Sequence, residues 1–373
     1  VHDRVHAFYR SNGVNPGRSG CELAQNAGKM VRDTRRLYSD FFNPSTEGQH
    51  SEKDPDRLVF TMNATMSLNM IIQGVVKAGD HVVSSVLEHN SVIRPINHKI
   101  IREGIEATFI SPDGEGFLDP DDIRRAIRPT TVLVIINHAS NVTGVVQDIE
   151  AIGRICREAD VPFAIDAAQT AGILPIDMAK AHIDFLAFTG HKSLFGPSGT
   201  GGLCVADDAE IACSMVGGTG VDSALPVQPE EFPHRLESGT INLAGIAGLN
   251  AGLSWILDRG IDTIRAHEMA LLEHLQDGLE TLPGVRLHGT RRLDRRVPTL
   301  SISISGCSPD DIGKRLDAEY GIQVRAGLQC APLIHKHMGT DPAGTIRFSI
   351  GPFNTMEHID QTISAVSTIA ASH

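Results

Sequence analysis

Residues 163–202 read FAIDAAQTAGILPIDMAKAHIDFLAFTGHKSLFGPSGTGG. Two apolar runs in this stretch, FAI and DFLAF, each lead to a chemically active side chain: Asp166 closes the first, and Lys192 stands just past the second. Runs that are apolar on both faces are expected of parallel strands covered by helices on both sides. Ligands of such open sheets sit outside the carboxyl ends of the strands. The stretch therefore predicts an α/β fold in which a carboxylate and a lysine converge at one strand-end site. Thr189, His191 and the glycines that follow add groups able to bind a phosphate.

A buried carboxylate and a lysine in that relation suit pyridoxal 5'-phosphate (PLP). PLP acts as an electron sink when a carboxylate keeps its pyridine nitrogen protonated and a lysine holds its aldehyde as a Schiff base. Taken singly, Asp166 reads equally well as the cap of a helix starting at Ala167, and Lys192 as a solvated loop lysine. The combination with Thr189, His191 and the glycines shifts the balance.

Outward from this stretch, apolar runs alternate with helix-like segments in the βαβ manner. Strands are predicted at 58–61, 81–85, 107–110, 131–136, 163–166, 185–188 and 202–206, preceded by a helix over 21–42 and polar loops at 11–20 and 43–57. Past residue 250 the pattern changes to helices at 246–259 and 262–282, a strand at 297–305, a helix at 310–320, strands at 323–325 and 345–350, and a last helix from Met356. The expected organisation is a large α/β domain over 16–259 with a mostly parallel seven-stranded sheet. A smaller α+β domain is expected from 1–15 and 260–373.

Composition narrows the function classes. With 33 basic against 45 acidic side chains the net charge is −12, and no Lys/Arg block tracks a phosphate backbone, so nucleic acid is not an expected partner. The basic run RRLDRR at 291–296 precedes a strand and reads as a solvated loop. Six cysteines show no CxxC pair and no zinc spacing; they read as reduced thiols of a cytoplasmic protein. No apolar stretch is long enough to span a membrane, and the start VHDRVHAFYR lacks the order of a signal peptide.

Residues at the predicted strand ends collect into one constellation: Thr65, His89, Asn141, Asp166 and Thr189. The turn Asn63-Ala64-Thr65 ends a strand and starts a helix, which aims backbone N–H groups and a hydroxyl at one point, as a phosphate requires. It also reads as a plain helix cap. His89 follows the second strand, where an imidazole can stack on a heteroaromatic ring or relay a proton. Asn141 and Gln169 can donate amide hydrogens to a phenolate oxygen.

With DxxQ at 166–169, then T-G-H-K at 189–192, R-L-E-S-G-T at 235–240 and R-x-G-x-x-C-A-P at 325–332 in that order, the chain resembles the cysteine desulfurase and selenocysteine lyase family. That family lies in the class V aminotransferase group of fold-type-I PLP-dependent transferases, and the likeness runs from about Asn12 to the C-terminus. The resemblance implies that Lys192 is the Schiff-base lysine, Asp166 the partner of the pyridinium nitrogen and His89 the ring stacked on the cofactor. Asn141 and Gln169 would lie near the phenolate oxygen. The Ala64 amide, Thr65, Thr189 and His191 would hold the phosphate, while Gly239 and Thr240 would reach the phosphate of a neighbouring subunit, making a homodimer with shared active sites. Arg347, in GTIRFSIG, would take the substrate carboxylate, a bidentate task for which lysine is poor.

Cys330 matches the family's catalytic cysteine. It would attack the substrate sulfur as a thiolate, with Arg325 favouring ionisation, and leave alanine and a persulfide for a sulfur-acceptor protein. Three departures from the pattern stand out. No counterpart of the family's N-terminal L-D-N-A-A-T-like strand is present, so either a segment precedes residue 1 or that pocket wall is built differently. Gln329 stands where many members place histidine, which leaves proton handling at Cys330 open. Met66 replaces a frequent acidic residue.

The expected activity is conversion of L-cysteine to L-alanine. A selenocysteine lyase uses every residue named. A cystine or cysteine C–S lyase needs no protein thiol, an aminotransferase or epimerase shares the scaffold, and a non-catalytic sulfur-relay protein would show a broken cofactor site.

Overall fold

The structure, a computed structural model, describes residues 1–16, 21–43 and 54–372. Parts of the predicted loops 11–20 and 43–57 lie outside the described residues. Seven strands build the main sheet: β1 Leu58–Thr61, β2 His81–Ser85, β3 Glu106–Ile110, β4 Thr131–Asn137, β5 Phe163–Asp166, β6 Phe185–Thr189 and β7 Gly201–Val205. Their order is β1-β7-β6-β5-β4-β2-β3, and β2 to β6 run parallel. Only β7 is reversed, antiparallel to both β1 and β6. A parallel return after β6 would need a crossover, usually helical; residues 190–200 supply turns and glycines instead. β1, β2, β5, β6 and β7 are buried along their whole length, matching their unbroken apolar character.

The second sheet holds β8 Val285–His288, β9 Thr299–Ile304, β10 Arg325–Gly327 and β11 Thr345–Ser349, in the order β10-β11-β9-β8 and antiparallel throughout. The sequence reading had no strand at β8, which follows the turn formers Pro283 and Gly284, and it placed β10 two residues early. It also missed the short helix Pro332–Met338, which Pro332 opens from its first turn.

Two hydrophobic cores mark two units. The larger gathers the main sheet with residues such as Leu68, Ile136, Phe163, Phe188 and Leu249. The smaller joins Leu271, Leu275, Ile302, Leu316, Ile346 and Val366. The helix Ile261–Glu280 crosses between them: Ile264 belongs to the larger core, Leu271 onward to the smaller. The first helix, His2–Ser11, buries Phe8 and leans Val5 on the larger core, against the helix Leu243–Arg259. Its apolar face therefore sits on the large unit, whereas the sequence reading assigned residues 1–15 to the small one.

Candidate active site

At the carboxyl ends of the main sheet lies a cavity of about 210 Å³. Ala64, Thr65, His89, Asn141, Asp166, Gln169, Thr189, His191 and Lys192 all line it, together with Asn63, Ser91, Asn137, Ala139 and Ala168. Each comes from the last residue of a strand or from the segment that follows it, so pairing of the strands sets their spacing. Asp166 and Asn137 are Cα partners across β5 and β4.

One wall is the start of the helix Ala64–Val75. Asn63 caps it, with Oδ1 accepting from the Met66 N–H at 3.0 Å. The N–H groups of a first helical turn have no intrahelical acceptor and favour an anion, and Ala64 and Thr65 of this turn line the cavity. Across from them Thr189 Oγ1 and His191 Nδ1 lie 3.0 Å apart. Burial, and then the neighbouring Lys192, lower the His191 pKa. The glycines after Lys192 do other work. Gly199 and Gly201 line a separate groove, and a Cβ on Gly201 would stand 2.7 Å from Phe188 O and 2.8 Å from Asn63 Cα. Gly201 thus lets β7 pack tightly under the Asn63 turn, and the sequence reading of these glycines as phosphate-binding groups is corrected: close backbone packing requires Gly201, and Gly199 takes a left-handed φ of 76°.

His89 caps the helix Asn90–Glu103. Its Nδ1 accepts from the Ser91 N–H at 3.1 Å, so the ring proton is assigned to Nε2. Ser91 Oγ joins the same nitrogen at 2.8 Å and Thr65 Oγ1 at 2.7 Å. Ser91 was not read as a site residue; its signal was a hydroxyl two places after His89. Burial lowers the His89 pKa, opposed by Asp166 and reinforced by Lys192 and Arg347.

Asp166 is buried, and its Oδ1 accepts from the Ala168 N–H at 2.9 Å. Lys192 reaches solvent at the pocket mouth yet is enclosed by the walls; this desolvation lowers its ammonium pKa, Asp166 opposing and Arg347 adding to the shift. Behind the pocket Glu88 is fully buried. Its Oε1 accepts from Ser85 Oγ at 2.6 Å and from the Asn137 N–H at 3.0 Å, and burial pushes its pKa up to about 8.

Neither Arg347 nor Cys330 lines the cavity itself; hydrogen bonds tie their segments to Asn141, which does. Arg347 Nη1 donates to Asn141 O at 2.9 Å, and Asn141 Nδ2 donates to Gln329 O at 2.8 Å. Among the described residues the buried Asn141 Oδ1 and Arg347 Nε have no protein partner. Burial lowers the Arg347 pKa; Arg325, its Cα partner on β10, pushes the same way and Cys330 opposes. Cys330 itself is exposed, and its carbonyl accepts from the Asn90 N–H at 2.7 Å.

The structure does not bring Gly239 and Thr240 to this cavity. Thr240 lines the separate groove with Phe60, Met62, Met66 and Met215. The segment is anchored from beneath: Glu237 accepts from the Phe60 N–H at 2.6 Å and pairs with buried Arg35 at 2.5 Å. Around the groove Met62, Met215 and Val216 are exposed.

The residues present fit PLP. A carboxylate and a lysine line one cavity, a helix start and the polar side chains of Thr189 and His191 line it too as groups suited to a phosphate, and the buried Asn141 Oδ1 is unpartnered among the described residues. Among the described residues no cluster of His, Cys, Asp and Glu could hold a metal, and no helix is long and apolar enough to cross a membrane.

Comparison with known proteins points the same way. The aminotransferase class-V family model matches residues 1–362. A probable cysteine desulfurase of Methanothermobacter thermautotrophicus is 33% identical over 97% of this chain and 89% of the relative. The cysteine desulfurase IscS of Photobacterium profundum is 32% identical over 95% of this chain and 84% of its own. Among solved structures, the apo structure of a cysteine desulfurase from Thermococcus onnurineus NA1 superposes with a TM-score of 0.92 at 30% identity, covering 100% of this chain and 91% of that one.

Proposed function

The chain belongs to the class-V aminotransferase family, in its cysteine desulfurase branch, and we propose that it takes sulfur from L-cysteine, releasing L-alanine and holding the sulfur as a persulfide on Cys330. The observation that carries this reading is the join between pocket and thiol: Asn141, which lines the pocket, holds the carbonyl of Gln329, and the amide of Asn90, between the lining residues His89 and Ser91, holds that of Cys330.

Asp166 would hold the ring nitrogen of PLP, His89 the ring face, Asn141 and Gln169 the phenolate side, and Ala64 N–H, Thr65, Thr189 and His191 the phosphate. When bound, PLP supplies the electron sink that makes the substrate Cα–H acidic and weakens the bond to sulfur. Arg347 orients the substrate through its carboxylate, with Nη1 fixed by Asn141 O and Nε left to pair. Lys192 Nζ, its pKa lowered, is the base placed to take the Cα proton and return it. His89, protonated at Nε2, is a donor beside it. The Cys330 thiolate attacks the substrate sulfur: an S–S bond forms, the Cβ–S bond breaks, and the electron pair and a proton end on the alanine methyl group.

Because Gly239 and Thr240 lie off the pocket, Thr240 on a groove lined by exposed Met62 and Met215, we propose that they meet a second copy, completing its phosphate site in a homodimer. Six unpaired cysteines fit a reducing, cytoplasmic setting. The exposure of Cys330 leaves its persulfide open to an acceptor protein. The test is mass spectrometry of the holoenzyme after mixing with L-cysteine. A mass increase of one sulfur on Cys330 is expected, together with loss of alanine release in Cys330→Ala. Full turnover by that variant would instead favour a C–S lyase that needs no protein thiol.

A further inference from the structure

Cys330 sits in a short turn, residues 328–331, between β10 and the helix Pro332–Met338. Both Gln329, with φ 42°, and Cys330, with φ 60°, lie in the left-handed region. That region is unfavourable for any residue with a Cβ, and two such residues in succession persist only where the surroundings hold them. The pocket holds their carbonyls through Asn141 and Asn90. The opposite side is held by the Gln329 side chain, which is buried. Its Nε2 donates to Thr345 O on β11 at 2.7 Å, and its Oε1 accepts from Thr345 Oγ1 at 3.3 Å and from His335 Nε2 at 3.1 Å. His335 is fully buried and is fixed in turn by Thr340 Oγ1 at 2.8 Å from Nδ1. Beneath the turn the backbones of Gly344 and Gly327 touch: a Cβ on Gly344, φ 81°, would stand 2.1 Å from Gly327 C.

These contacts leave the Gln329 amide no freedom to serve the thiol. Both its polar atoms are engaged toward β11 and His335, and an amide does not titrate. We propose that Gln329 is a positioning residue for sulfur transfer: its side chain pins the left-handed turn to Thr345 and His335, so that Cys330 is presented beside the pocket without receiving a proton from its neighbour. This rests on Cys330 being the sulfur acceptor.

The test compares the holoenzyme with Gln329→Ala and with Gln329→Met, which keeps the length and burial of the side chain but makes none of its hydrogen bonds. With L-cysteine, kcat is expected to fall about 10- to 100-fold, the scale of a misplaced reacting group, while KM stays within about twofold because Arg347 and the pocket are untouched. The shape of the kcat–pH profile should not change. His335→Ala should lower kcat by itself and add little on top of Gln329→Ala, as expected for one network. Wild-type kcat in Gln329→Met would overturn the proposal, as would a shifted limb of the pH profile, which would assign Gln329 to proton handling. Unfolding of both variants would make Gln329 a stability residue and overturn it too. Cys330→Ala, run in parallel, separates the two readings: full turnover there removes the desulfurase assignment whatever Gln329 does, whereas an inactive Cys330→Ala beside an unimpaired Gln329→Met removes this inference alone.

Discussion

The pocket at the strand ends and the turn that carries Cys330 are built by opposite means. Asp166 and Thr189 terminate fully buried strands and Asn137 ends a strand buried at all but one residue, so the ladder of the sheet sets their spacing and little side-chain work is needed. Cys330 has no such support. Its turn departs from regular structure at two consecutive residues and is held by single hydrogen bonds from both units. A rigid cofactor site and a separately fastened nucleophile can therefore fail independently, and variants on each side should show different losses.

The largest effect is expected at Lys192→Ala. Turnover should fall on the order of 10⁴-fold, as for loss of a covalent catalytic group, while Cys330 remains as reactive to iodoacetamide as before; a slowed alkylation would show that the two regions are not independent. Cys330→Ala is the mirror case, with alanine release down on the order of 10³-fold and the PLP absorbance band retained. Loss of that band would tie the thiol into cofactor binding. Arg347→Lys keeps the charge but not the fork, and KM for L-cysteine should rise about 10- to 100-fold, checked by initial rates. Asn141→Ala touches both regions at once. It should lower kcat by roughly tenfold and also weaken PLP retention on dilution; an effect confined to one of the two would break the link drawn here.

The smallest expected effect concerns Glu88, behind the pocket. Burial raises its folded pKa from 4.5 to about 8. The folded protein therefore binds the extra proton between those values, and the stability this group contributes is complete below 4.5 and is lost as pH rises through about 8. Glu88→Gln should remove that share of the slope between about pH 5 and about pH 8, measured by denaturant unfolding. An unchanged slope would mean that Glu88 is already ionised in the folded protein.

Much of the large unit was legible before folding was considered. The strands at 58–61, 81–85 and 163–166 fall on the predicted residues, because a strand buried on both faces must be written in continuous apolar letters. Ser91 and Glu88 escaped notice because each is a single polar letter whose meaning depends on what lies across the pocket. The glycines after Lys192 read as phosphate-binding groups, yet the use of Gly201, close packing of β7 under the Asn63 turn, depends on a contact far away in sequence. The first helix reads as part of the small unit, yet Phe8 belongs to the larger core and the helix packs on Leu243–Arg259.

The sequence by itself determined the α/β sheet, the strand-end residues that suit PLP and the resemblance that singled out Cys330, since all of these rest on local pattern and order along the chain. Only the tertiary structure decided that Asn141 joins Arg347 to the Cys330 turn, that Gln329 faces away from the chemistry, and that Gly239 and Thr240 lie off the pocket of their own chain. Those facts depend on hydrogen bonds between residues up to 206 positions apart, and a local pattern carries no record of which distant backbone group a side chain will meet.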